Sequence, residues 1–108
     1  MAGVSTPLPV TPDALDPVIH ERTRLALVAV LAARSRVDYL ELRSLLKLTD
    51  GNLAGHLNVL EKAGYIDVEK TFVGKKPRTS YALTPLGRSS FRKHVEQLGA
   101  LLQGARGR

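Results

Sequence analysis

Leu48-Thr-Asp-Gly-Asn-Leu-Ala-Gly-His-Leu-Asn-Val-Leu-Glu-Lys-Ala-Gly-Tyr-Ile66 is the stretch on which the fold turns. Thr49 is a good helix cap, because its side-chain oxygen can accept from the free amides of a first turn. Leu53, Leu57 and Leu60 follow at i, i+4 and i+7, and Gly64 stands where a left-handed C-terminal cap is expected, so the spacing predicts a helix over 50–63. With the leucines inward and 100° per residue, Gly51, Gly55, Asn58 and Lys62 fall on the outward line, flanked by Asn52, Ala54 and Val59. Two glycines inside a helix cost about 1 kcal/mol each relative to alanine, and neither lies on the core side. Two explanations stand: small residues are merely tolerated on an exposed face, or something approaches the helix backbone closely there. His56 sits on the shoulder of the buried side, where both a hydrogen-bonded core histidine and a base or phosphate contact remain open.

Upstream, Asp38 with Glu41 three residues on has the form of a capping box, and Tyr39, Leu42 and Leu45 or Leu46 recur at helical spacing. A short helix is expected there, separated from the next by a turn of a few residues. Asp16-Pro17 reads as an earlier helix start, with that helix running to about Ala33. Its Leu25–Ala33 stretch is apolar around nearly the whole circumference, which predicts one side on its own domain and the other on a second subunit.

Downstream, Ile66-Asp-Val-Glu-Lys alternates as a half-buried strand does, and Thr79-Ser-Tyr-Ala-Leu83 is its return, giving a hairpin with a long basic tip around Gly74-Lys-Lys-Pro-Arg78. Thr84-Pro85 repeats the cap-then-proline signal, and a last helix is expected to about Gln103, its Phe91, Val95, Leu98 and Leu102 forming a seam against another helix. Residues 1–15, with their prolines, read as a flexible arm, 16–103 as the folded domain, and 104–108 as a basic tail. Helix, helix, tight turn, helix and hairpin is the order of a winged helix-turn-helix, a mainly α (α+β) fold, here with a C-terminal helix suited to dimerisation.

The charge agrees with that order. The 108 residues carry 16 Lys plus Arg against 10 Asp plus Glu, a formal charge of +6. Lys70, Lys75, Lys76, Arg78, Arg88, Arg92 and Lys93 put seven cations between positions 70 and 93 with no acid among them, a local field that suits an anionic polymer. With only three Tyr, two Phe and no Trp, the chain lacks the stacking platforms that hold single strands, so duplex is the expected form. No cysteine is present, which removes disulfides, thiolate chemistry and cysteine-based zinc sites. His20 and His94 have no acid at ligand spacing, so neither a metal site nor a cofactor is expected. No nucleophile motif or phosphate-binding glycine loop points to an enzyme. The longest apolar run, nine residues from Leu25, is far short of the ~20 that span a bilayer, and no secretory signal opens the sequence; a cytoplasmic protein without a membrane partner is the expectation.

The quoted stretch resembles the recognition helix and following strand of the MarR and ArsR winged-helix regulators. Phe72-Val-Gly-Lys-Lys-Pro-Arg-Thr-Ser-Tyr-Ala-Leu-Thr-Pro-Leu-Gly-Arg88 is similar to the wing of their short single-domain branch, the Leu-Thr-x-x-Gly-Arg exit being the most specific piece. The resemblance covers roughly 16–103. It implies a homodimeric transcription regulator on pseudo-palindromic double-stranded DNA, joined through its first and last helices, with helix 50–63 in the major groove and wing 72–79 on the backbone or in the minor groove. By position, the DNA-facing residues would be Thr49, Gly51, Asn52, Gly55, His56 and Asn58 on the helix, and Lys75, Lys76, Arg78 and Thr79 on the wing. Many relatives have Ser, Thr or Arg where Gly51 and Gly55 stand, so specificity would lean on DNA shape and the wing. The Cys or His clusters of metal-sensing relatives are missing, and a small-molecule effector is compatible with the family though no residue here identifies one. The alternative is a winged helix used to bind protein or RNA, since a fold does not fix its function.

Overall fold

The computed structural model describes residues 11–106. Most of the expected arm, residues 1–10, and the last two residues of the tail lie outside them. A single 3-10 turn at Pro12–Ala14 leads to helix α1 (Arg22–Ala33), a two-residue strand β1 (Val37–Asp38), α2 (Tyr39–Leu46), α3 (Asp50–Lys62), the hairpin β2 (Ile66–Val73) and β3 (Lys76–Leu83), and α4 (Pro85–Arg106).

Helix α1 begins five residues later than Asp16-Pro17 suggested. Asp16 does cap, but what it caps is an isolated bend: its Oδ1 accepts from the amides of Val18 and Ile19, at 2.9 and 3.3 Å. The helix cap is Glu21, whose carboxylate accepts from the amides of Thr23 and Arg24 at 3.0 and 2.8 Å. Those amide bonds, the Arg24 one foremost, hold the Glu21 carboxyl below its ordinary range. Leu27, Val28 and Leu31 of α1 are buried, and of its other apolar residues only Ala29 and Ala33 are exposed, so the helix is more enclosed by its own chain than its apolar circumference implied.

The capping box before α2 does not form. Asp38 makes no side-chain cap bond and instead reaches Arg78 at 2.6 Å, while Glu41 pairs with Arg34. Lys47 ends α2 in the left-handed region at φ 53°, and its neighbour's amide, Leu48, returns to the Arg43 carbonyl at 3.1 Å. Three residues thus separate α2 from α3. Leu42 from α2 and Leu53, Leu57 and Leu60 from α3 meet Leu27, Val28 and Leu31 in one core, closed from the other side by Val37, Ile66, Tyr81 and Leu83 of the sheet. Each such leucine, withdrawn from water, contributes about 1.5–3 kcal/mol.

The sheet has the order β1-β3-β2, antiparallel throughout, with Val68 opposite Tyr81, Lys70 opposite Thr79 and Val73 opposite Lys76. Only Gly74 and Lys75 lie between the strands. Gly74 has φ 65° at the position a type II′ turn reserves for glycine. The expected long loop is therefore a continuation of both strands to a tight turn, and β1, too short to leave a pattern, pairs Val37 and Asp38 with Tyr81 and Ser80.

Helix α4 runs to Arg106, so the part of the expected tail that is described, 104–106, is helical. Its start is fastened to the corner between α3 and β2. The Thr84 amide donates to the Tyr65 carbonyl at 3.0 Å, the Thr84 hydroxyl donates to the Gly64 carbonyl at 2.6 Å, and the Gly87 amide donates back to that hydroxyl at 3.0 Å. A Cβ at Gly87 would lie 2.0 Å from the Tyr65 carbonyl oxygen, so only glycine admits this approach. Along the expected seam, Phe91 is half-buried against the core, whereas Val95 and Leu102 are 49% and 59% exposed.

Candidate nucleic-acid interface

The N-terminus of α3 is fixed by α2 as well as by its own cap. Thr49 Oγ1 accepts from the Asn52 amide at 3.2 Å, as its place in the sequence predicts. Asp50, in the first turn, accepts from Arg43 Nη1 at 2.8 Å and from the Tyr39 hydroxyl at 3.1 Å. The Arg43 bond, with the Tyr39 bond behind it, holds the Asp50 carboxyl below the usual carboxylate range. The pairing also offsets a negative charge that would otherwise repel an anion from this helix end.

From that fixed start, Gly51, Asn52, Ala54, Gly55, Asn58 and Lys62 all face outward and are exposed. A Cβ at Gly51 or at Gly55 would meet nothing within 4 Å, so neither glycine is demanded by packing inside the chain. His56 is different: its Nδ1 lies 3.1 Å from Arg24 Nη1 and 3.6 Å from Glu21 Oε1, which ties the middle of α3 to the start of α1. Arg24 in turn donates through Nε to the Val18 carbonyl at 2.6 Å.

Strand alternation sorts the wing into two faces. Val68, Lys70, Phe72, Pro77, Thr79 and Tyr81 share the face toward α3, and together with Tyr39, Ala54, Leu57, Asn58 and Glu61 several of them line a groove of about 430 Å³ between helix and hairpin. The other face carries Asp67, Glu69, Thr71, Lys76, Arg78 and Ser80. There Arg78 is bound to Asp38 at 2.6 Å, which raises the arginine's already high pKa, and Arg36 reaches Asp67 at 2.6 Å and the Ser80 carbonyl at 3.3 Å. Lys70, Lys75 and Lys76 form no ion pair with any described residue.

Of the residues expected on the interface, Thr49, Gly51, Asn52, Gly55 and Asn58 therefore come together on one open helix face, with Thr79 across the groove and Lys75 and Lys76 at the hairpin tip. His56 and Arg78 are engaged within the fold. Sequence reasoning counted Lys70 among the local cations without assigning it a place; the register puts it beside Thr79 on the face toward α3. Between the segment before α1 and α4, His20 Nδ1 and His94 Nε2 lie 3.3 Å apart; His94 is fully buried, and no group of three or more His, Asp or Glu able to hold a metal is found among the described residues. No helix among them is long and apolar enough to cross a membrane.

Comparison with known proteins places this geometry in a family. An uncharacterized protein of Methanocaldococcus jannaschii is 27% identical over 81 residues, covering 75% of this chain and 88% of that protein. The structure of a transcriptional regulator homologue from Pyrococcus horikoshii superposes with a TM-score of 0.77 at 27% identity, covering 82% of this chain and 87% of that one. A structure described as a MarR-family transcriptional regulator from Enterococcus faecalis gives 0.70 at 26% identity, covering 83% and 81%. The family model of the winged helix DNA-binding domain matches residues 23–102, from the first turn of α1 to the last turns of α4, so the chain belongs to that family, among its MarR-like transcriptional regulators.

Proposed function

We propose that the protein acts as a homodimer on double-stranded DNA, with α3 in the major groove and the hairpin along the adjacent backbone or minor groove. The observation that carries this reading is the open face of α3 standing beside a groove and hairpin tip whose lysines form no ion pair among the described residues. A major groove ~12 Å wide admits one helix, and a helix bare at Gly51, Ala54 and Gly55 can lie deeper than one clothed in long side chains. Asn52 and Asn58, with paired donor and acceptor groups, are placed to read adenine edges, and Thr49 with the free amides of the first turn to hold a phosphate. Lys70, Lys75 and Lys76 meet phosphates, and Thr79 adds a hydroxyl to the same run. His56 and Arg78 act as positioning residues, His56 through α1 and Arg78 through Asp38.

The exposed Val95 and Leu102, with Leu98 and Leu101 half-buried beside them, give α4 the apolar surface for a twofold partner, which would space two copies of α3 by one DNA turn, ~34 Å. Selection of bound fragments from random duplex DNA, with sedimentation of the free protein at micromolar concentration, tests both parts. The expected result is a dimer that returns a pseudo-palindromic site, and an Asn52→Ala variant with flattened preference among sequences. A monomer, or a protein that retains no duplex over competing RNA, would refute the reading.

A further inference from the structure

The tip of the wing has a feature that its charge does not explain. Phe72 is 73% and Val73 58% exposed, and Phe72 is the cross-strand partner of Pro77, itself exposed. The hairpin's other large apolar residues, Ile66, Val68, Tyr81 and Leu83, are buried in the core or packed against it. Phe72 contributes nothing to that core, and it stands one rung beyond Lys70 and Thr79 on the face toward α3, with Lys75 and Lys76 just past it.

We propose that Phe72 is an apolar wedge: it enters the minor groove of the DNA bound by α3, inserts at a base step, and kinks the duplex. The inference rests on the DNA-binding reading above and assigns a residue that reading does not use. Lys70 on the same face as the exposed ring, with Lys75 in the turn and Lys76 on the opposite face just past it, none of them ion-paired among the described residues, favours an occupant that is anionic outside and apolar within, and stacked bases behind a phosphate backbone have that composition. The reach also fits. Val68 and Tyr81 form the last rung packed on the core; at about 3.3 Å per residue Phe72 lies roughly 13 Å beyond it and the turn roughly 20 Å. Half a DNA turn, the step from one major groove to the neighbouring minor groove, is about 17 Å. Side chains of this type pushed between base pairs unstack them and bend DNA toward its major groove. A wedge favours steps that unstack readily, TA and CA/TG, so it gives sequence preference where Gly51 and Gly55 give none.

The test compares the wild-type chain with Phe72→Ala and Phe72→Leu on duplex fragments selected by the wild type, measuring affinity, salt slope, bend angle by circular permutation, and the fluorescence of 2-aminopurine placed at successive positions flanking the half-site. Phe72→Ala is expected to lose about tenfold in affinity for each inserted wing, the effect of roughly 50–60 Å² of newly covered apolar ring, with bend and fluorescence rise abolished and the salt slope kept. Phe72→Leu, still a wedge, retains most of both. Because the ring is exposed, neither variant should shift the melting temperature. If Phe72→Ala binds and bends DNA as the wild type does, the wedge is refuted while DNA binding stands. If the wild type binds no duplex, both fall.

Discussion

Removal of Lys75 and Lys76 together should change the salt dependence of DNA binding far more than any other wing substitution. Three wing lysines per protomer, Lys70, Lys75 and Lys76, have no anionic partner among the described residues, whereas Arg78 is already 2.6 Å from Asp38. A dimer thus offers six unpaired wing cations. At about 0.9 per neutralised phosphate, log K against log salt should fall with a wing-borne slope near −5, about a thousandfold between roughly 50 and 200 mM. Lys75→Ala/Lys76→Ala leaves two, a slope near −2 and a loss of about tenfold over the same interval. Arg78→Ala should barely move the slope, because binding through a paired arginine releases few counterions. Fluorescence anisotropy of one labelled, selected duplex across that salt range reads all three. A double variant that keeps the wild-type slope would remove the tip from the phosphate contacts. An Arg78→Ala slope shallower by about 2 would mean that the Asp38 pair opens on DNA.

Two further outcomes concern the fold itself. Gly87→Ala should destabilise by about 3 kcal/mol, because a methyl 2.0 Å from the Tyr65 carbonyl forces α4 off the α3–β2 corner; an unchanged urea midpoint would contradict that contact. Burial, with His20 beside it and Asp16 opposing, holds the His94 imidazole below its ordinary pKa of 6.5, so the unfolded chain takes up the proton first. Stability present above pH 6.5 is therefore lost as pH falls from there toward the folded value, and the decline should be shallower in His94→Gln than in the wild type; parallel curves would assign the acid sensitivity elsewhere.

The elements that could be read from sequence are those whose signals are local. The Thr49 cap, the leucine stripe of α3 and the Gly64 stop need only neighbouring residues, and each stands where its spacing puts it. Asp16 misled because a capping side chain announces a turn but not its length: it holds one bend and accepts from the Tyr65 hydroxyl, leaving the helix to Glu21. Asp38 misled because the Arg78 pair, 40 positions away, outcompetes a cap bond. The ends of β2 and β3 were hidden for another reason. From Glu69 to Arg78 every residue is exposed, so no burial alternates to mark a strand. Which wing residues face α3 followed only from the two-residue turn, since a shift of one position would exchange Lys70 and Thr79 for their neighbours.

The lock between α4 and the α3–β2 corner bears on how such a molecule could be switched. With glycine against a carbonyl, two hydrogen bonds across the joint and a third that braces the Thr84 hydroxyl from within α4, the long helix is held closely to the reading head. In the proposed dimer each protomer then moves as one stiff limb of a caliper. An inducing signal would act on the angle at which the limbs meet, changing the gap between their points while leaving each point undeformed.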